Sequence, residues 1–234
     1  MSFVIAFKAL FLPIHFCRSK PHEDDNLPFG HIFTDHMLTV SWRSDRGWGQ
    51  PKIHPFQNLS LSPGCKVFHY AQELYEGMKA YRGVDDKIRL FRPDLNMRRM
   101  NMTADRSCLP TFDSHHLLEC IRRLVVVDRD WVPRAPNSSL YIRPTMIGTE
   151  PTLGLGPANQ ATLFVILSPV ASYFGASKAV TLLCDPRYVR ATPGGCGYTK
   201  MGSNYAPTLW VQKVIFTLSS GDEGRRFSKR IFKI

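Results

Sequence analysis

Gly194-Gly195-Cys196-Gly197-Tyr198-Thr199-Lys200-Met201-Gly202-Ser203-Asn204-Tyr205 is the stretch around which the chain is organised. It sets four glycines in nine residues around a single lysine and closes on an amide and a phenol. Glycine allows close backbone approach and positive φ, so the segment suits a tight turn pressed against a ligand. A lysine packed in such a turn loses water, and desolvation favours the neutral amine, a nucleophile toward a carbonyl. Asn204 and Tyr205 carry groups able to hydrogen-bond a ring oxygen beside that carbonyl. The same residues also suit a surface turn with a solvated lysine, and the stretch alone does not separate the two.

Outward from it, the chain reads as mixed helix and strand. Thr181-Leu182-Leu183-Cys184 starts a strand, and residues 170–178 are small and loop-like, a candidate hinge. Ser139 to Ile147 and Thr162 to Leu167 are rich in branched residues and read as strands. Asp113 is a good N-cap, and Leu117, Leu118, Ile121, Leu124 and Val125 follow the core stripe of a helix over 114–127. Pro93 suits a first helical turn with Asp94 favourable beside it, and Met97, Met100 and Ala104 share one face, which predicts a helix near 93–107. Leu74 and Met78 stand at i and i+4, which predicts an amphipathic helix across His69 to Tyr81. Lys87 to Phe91 is a short strand, Asp45-Arg46-Gly47 a turn, and Met37 to Trp42 an alternating strand. Pro51 to Pro63, with three prolines, is extended or looped. The fold class is α+β.

The totals bound the function. With 44% hydrophobic and 21% charged residues, a 234-residue chain is globular and soluble in type. No apolar run reaches the roughly 18 residues of a membrane span; Phe3 to Phe16 is broken by Lys8, Pro13 and His15. Cys17, Cys65, Cys108, Cys120, Cys184 and Cys196 form no CxxC pair and no metal-spaced cluster, so free thiols are expected and a metal site is not. The net charge of +11 is spread along the chain with no long basic run, so neither nucleic acid nor membrane is an expected partner. Residues 1–22 hold no acid, and their strong bases are Lys8, Arg18 and Lys20, which fits a transit peptide loosely.

Several motifs resemble, in order, those of branched-chain amino-acid aminotransferases, fold-type IV enzymes that use pyridoxal phosphate. They are Phe33-Thr34-Asp35-His36-Met37-Leu38, Leu74-Tyr75-Glu76-Gly77-Met78-Lys79-Ala80, Ser139-Leu140-Tyr141-Ile142-Arg143-Pro144, and Arg187-Tyr188-Val189-Arg190-Ala191 ahead of the lysine stretch. The resemblance runs from about Phe29 to Gln212. It implies an N-terminal extension over 1–28, a small α+β domain over 29–169, an interdomain loop over 170–178, the beginning of a large cofactor domain over 179–212, and an unrelated tail over 213–234. Loss of neighbouring strands is expected to leave that tail poorly packed. The segment Lys20 to Leu27 resembles the linker of cytosolic members, which favours the cytoplasm over the mitochondrion.

By the same resemblance, Lys200 is the lysine that bonds the cofactor and moves the substrate proton. Arg99 binds the cofactor phosphate, Tyr205 hydrogen-bonds its ring oxygen, and Arg190 lies near it. Phe29, Tyr75 and Tyr141 line the side-chain pocket. Tyr70 and Arg143 lie near the substrate carboxylate, and Leu153 and Leu155 are lent across a homodimer interface. Two departures stand out. Arg98 replaces the usual aspartate, and Tyr75 replaces the usual phenylalanine, so its hydroxyl must find a partner or penalise an aliphatic substrate. The family's ring-nitrogen glutamate, phosphate turn and CxxC motif have no counterpart after Lys200, where the only acids are Asp222 and Glu223. Two readings stay open: a transaminase acting on amino acids and 2-oxo acids, or a non-catalytic fragment, nearly inactive alone, that dimerises or binds partners.

Overall fold

The computed structural model describes residues 10–11, 19–20, 27–171, 181–183, 185–220 and 231–233. Its centre is an antiparallel pair of long strands, β8 (Ser139–Gly148) and β9 (Gln160–Val170), in unbroken register from Ser139 opposite Val170 to Gly148 opposite Ala161. Beside β9 run β2 (His36–Arg43), then β4 (Lys52–Pro55) and, in parallel, β1 (Leu10–Phe11), with β3 (Gly47–Trp48) folded back on β2. Beside β8 run β6 (Met78–Arg82) and β7 (Ile88–Leu90), while β5 (Glu73–Tyr75) pairs with the other end of β8. Alternation sorts the two faces of the sheet. Leu38, Leu140, Ile142, Met146, Leu163, Val165 and Leu167 turn one way into a core that excludes water.

Two helices close that core. In α2 (Pro93–Arg106) the buried Met97, Met100 and Ala104 share one face. In α3 (Ser114–Val127) Leu117, Ile121, Leu124 and Val125 do the same, and the Asp113 carboxylate caps the first turn by accepting from the His116 amide at 2.8 Å. The far end of α3 is tied to β2 by Asp128, which accepts from the His36 amide at 3.1 Å and meets His36 Nδ1 at 2.7 Å. Next to it, Trp131 donates to Asp35 at 2.9 Å. The strand and helix expectations hold here, including both bounds of the 114–127 helix.

One expected helix is absent. The segment from His69 to Tyr81 is not a helix. A short helix α1 (Lys66–Tyr70) ends at Ala71, in left-handed geometry, and β5 and β6 follow. Leu74, Glu76, Met78 and Ala80 are all buried, a period of two. Leu74 and Met78 are four apart in either period. The ambiguity was settled by Glu76, an acid that reads as a surface residue and is fully buried.

Beyond β9 most of the candidate hinge lies outside the described residues. After it come β10 (Thr181–Leu183), the lysine stretch, and α4 (Thr208–Ser220). The tail was expected to find no partner strand. Instead β11 (Ile231–Lys233) pairs antiparallel with β10, whose own edge was open to receive it. Among the described residues no helix is long and apolar enough to cross a membrane, and no group of three or more His, Cys, Asp or Glu could hold a metal ion.

Candidate active site

The lysine stretch is a stapled loop. Gly194 takes φ +77°, the left-handed region that glycine tolerates. Asn204 is buried and donates to the carbonyls of Cys196 at 2.9 Å and Thr199 at 3.0 Å, while accepting from Cys196 Sγ at 3.2 Å. Its amide is therefore committed to holding the loop and is not offered to a ligand ring, contrary to the reading from sequence. Two backbone contacts then place Lys200. Its carbonyl accepts from the Tyr75 amide on β5 at 3.1 Å, and its amide donates to Thr103 Oγ1 on α2 at 3.1 Å. Thr103 in turn donates to the Arg99 carbonyl at 2.9 Å. Met201 bridges Leu74, so the loop adds to the end of β5.

The Lys200 amine lies 3.1 Å from the Tyr205 hydroxyl and 4.5 Å above the Tyr75 ring. The two phenol rings stand 5.2 Å apart, tilted by 53°. The Arg143 guanidinium also lies 4.5 Å from the Tyr75 ring centre, so two cations meet one aromatic ring. Arg143 also donates to the Tyr141 hydroxyl at 2.9 Å, and Phe29 packs edge-on against Tyr141 at 4.9 Å. Gly77 makes room for this: a Cβ there would fall 2.1 Å from the Tyr141 hydroxyl. Phe29, Tyr75, Tyr141, Arg143, Lys200 and Tyr205 thus form one cluster, drawn from four separate stretches of chain.

Charge and burial tune the two phenols in opposite directions. Burial pushes Tyr75 far up, and hydrogen bonding to Tyr205 adds to it, with Arg143 opposing. For Tyr205 burial also raises the value, but hydrogen bonds from Lys200 and Tyr75 outweigh it and hold the phenol below its ordinary range. Tyr75 is therefore the donor and Tyr205 the acceptor. The Tyr75 hydroxyl, which needed a partner, has one. Arg190 donates to the Gly197 carbonyl at 3.2 Å, and its charge, like that of Arg99, acts on the Tyr205 oxygen.

Arg99 does not stand alone. It makes a two-pronged ion pair with the fully buried Glu76, Nε to Oε1 at 2.5 Å and Nη2 to Oε2 at 2.8 Å. Sequence reasoning missed Glu76 and Thr103. The available signal was the alternation that puts an acid in phase with Leu74 and Met78, since a buried carboxylate demands a cation.

Tyr70, Leu153 and Leu155 form a separate rim. Tyr70 donates to the Leu153 carbonyl, and Leu153 and Leu155 are 65% and 83% exposed, which leaves them open to a partner. The loop that carries them is anchored by the buried Lys66, whose amine meets Glu150 at 2.8 Å and the carbonyls of Gly156 and Pro157 at 3.1 Å each.

No protein-family profile matches the chain. Individual relatives do. The mitochondrial branched-chain-amino-acid aminotransferase of Bos taurus is 54% identical over 213 residues, 89% of this chain and 54% of its own. The cytosolic enzymes of Ovis aries and Caenorhabditis elegans are 56% and 52% identical over 197 residues each, covering 83% and 84% of this chain and 51% and 48% of theirs. The chain thus spans about half the length of the curated relatives it matches. Among solved structures, a branched-chain aminotransferase from Thermoproteus uzoniensis with norvaline superposes with a TM-score of 0.57 at 18% identity, over 74% of this chain and 54% of that one. A second, from Thermobaculum terrenum in its PLP form, gives 0.53 at 16% identity, over 71% and 51%. These superpositions carry the fold, that of the fold-type IV aminotransferases.

Proposed function

The chain belongs to the branched-chain-amino-acid aminotransferases, and on that premise we propose that it moves the amino group of leucine, isoleucine or valine to 2-oxoglutarate with pyridoxal phosphate. The observation that carries this reading is the Lys200 amine set 3.1 Å from the Tyr205 hydroxyl, with its backbone pinned to β5 and α2. The donor set fits the cofactor. An amine, a phenol and a partly exposed guanidinium suit an aldehyde, a ring oxygen and a phosphate respectively. Arg143 Nε, buried with no acceptor among the described residues, suits a carboxylate brought in by the substrate.

When bound, the cofactor supplies an electron sink for the carbon from which the substrate proton leaves. The chain's own residues do the rest. Lys200 would hold the cofactor, and its amine would take the substrate proton and return it. Tyr205, held below its ordinary range, accepts hydrogen bonds from Lys200 and Tyr75 and so keeps the amine aimed. Tyr75, Tyr141 and Phe29 would wall a pocket whose two hydroxyls are already engaged, by Tyr205 and by Arg143, which leaves an aromatic surface for a branched side chain. Two copies would place Leu153 and Leu155 of one against the pocket rim of the other. The Lys20 to Leu27 linker supports a cytosolic site of action, although the relatives include cytosolic and mitochondrial enzymes.

The test is leucine-dependent glutamate formation by the purified chain with 2-oxoglutarate and pyridoxal phosphate. Turnover that Lys200→Ala abolishes is expected. No glutamate, or turnover that persists in Lys200→Ala, overturns the reading.

A further inference from the structure

Glu76 collects four donors on two oxygens. The Gly77 amide reaches Oε2 at 3.0 Å, Asn96 Nδ2 reaches it at 2.9 Å, and Arg99 supplies Nη2 and Nε. Asn96 also donates to the Gly77 carbonyl at 3.1 Å, so the strand turn and the helix are stitched at this point. The carboxylate is fully buried while the Arg99 side chain is 45% exposed. The guanidinium therefore straddles the protein surface. Its side edge, Nε and Nη2, is fixed on Glu76. Its end edge, Nη1 with the second hydrogen of Nη2, is left pointing away. An arginine recognises a phosphate by two parallel N–H bonds from one edge, so the direction of that edge decides the contact. A long side chain with no anchor spends much of its time elsewhere and must be ordered at each binding event.

We infer that Glu76, secured by Asn96, is a positioning residue that clamps Arg99 so that its end edge presents a fixed fork to the cofactor phosphate. This rests on the reading of Arg99 as the phosphate ligand. Glu76 itself touches neither cofactor nor substrate. Its charge opposes the phosphate, and the clamp is favourable because the loss of ordering cost outweighs that opposition at a partly exposed, screened edge.

Pyridoxal phosphate and pyridoxal differ only in the phosphate, so the ratio of their affinities for the full chain reads the contacts of the phosphate, and its change in an Arg99→Gln background isolates the Arg99 share. Glu76→Gln is expected to lower that ratio about tenfold, the worth of one charge-assisted contact, with pyridoxal affinity unchanged. In an Arg99→Gln background, Glu76→Gln is expected to add nothing further to the ratio. A merely structural role would weaken both ligands alike and would persist in that background. If circular dichroism shows Glu76→Gln unfolded, Asn96→Ala decides, since it removes one donor at a half-buried position and is expected to lower the ratio in the same direction. A ratio unchanged or raised in the folded variant overturns the clamp. A chain without substitution that shows no preference for pyridoxal phosphate over pyridoxal overturns the cofactor reading and the clamp together.

Discussion

Tyr75 is where this chain departs most usefully from the phenylalanine that its family resemblance implies. Its added hydroxyl would penalise an apolar substrate if it faced the pocket unpaired. It is instead a donor to Tyr205, beside a donor from Lys200, and the pair of bonds outweighs burial and holds the Tyr205 phenol below its ordinary range. Tyr75→Phe removes one of those donors, so the charged form loses support and the Tyr205 titration moves to higher pH. Absorbance titration of tyrosinate, with Tyr205→Phe subtracted, reads this directly. An unmoved Tyr205 would show that Tyr75 does not donate to it. The glycine-rich stretch pointed to Lys200 and Tyr205 without separating a ligand turn from a surface turn, and Arg99 entered only through the resemblance to a family. Asn204, equally polar and equally near, was assigned to the ligand and turned out to staple the loop, because nothing local reveals which way an amide turns.

At the scale of elements, α3 was the clearest in the sequence and its cap makes a sharp test. The Asp113 carboxyl is held below its ordinary range, first by the His116 amide. A depressed carboxyl stabilises the fold above its unfolded pKa and loses that contribution as pH falls through the folded value. Asp113→Ala is expected to cost about 1 kcal/mol near neutral pH, and the gap to the unsubstituted chain should close in acid, below the carboxylate range near pH ~4. Paired denaturant titrations at the two pH values check both halves, and a gap that widens in acid contradicts the cap. The helices were readable because their apolar stripes are local and their caps are single residues. The strands β5 and β6 were not, because Glu76 looks like a break in an apolar pattern until its partner Arg99, on another element, is known.

For the whole molecule, the site exists only in three dimensions. The long pairing of β8 with β9 holds Tyr141 and Arg143 at their places in the register. The β5 edge and Thr103 on α2 then receive a loop whose Lys200 lies 97 residues after Thr103 in the chain. Periodicity supplied the helices and the long strands, but it carries no information on which loop meets which edge. That gap is why the pairing of β11 with β10 was unforeseen. The central claim is that this assembly makes Lys200, and no other lysine, the anchor of pyridoxal phosphate. Lys79, opposite Tyr141 in the β6–β8 register, is the natural rival. Mixing the chain with pyridoxal phosphate, reducing with borohydride and mapping the modified peptide by mass spectrometry decides between them. A stoichiometric phosphopyridoxyl mass on Lys200, lost in Lys200→Ala and retained in Lys79→Ala, is the result expected; a label that lands on Lys79, or one that survives Lys200→Ala, contradicts it.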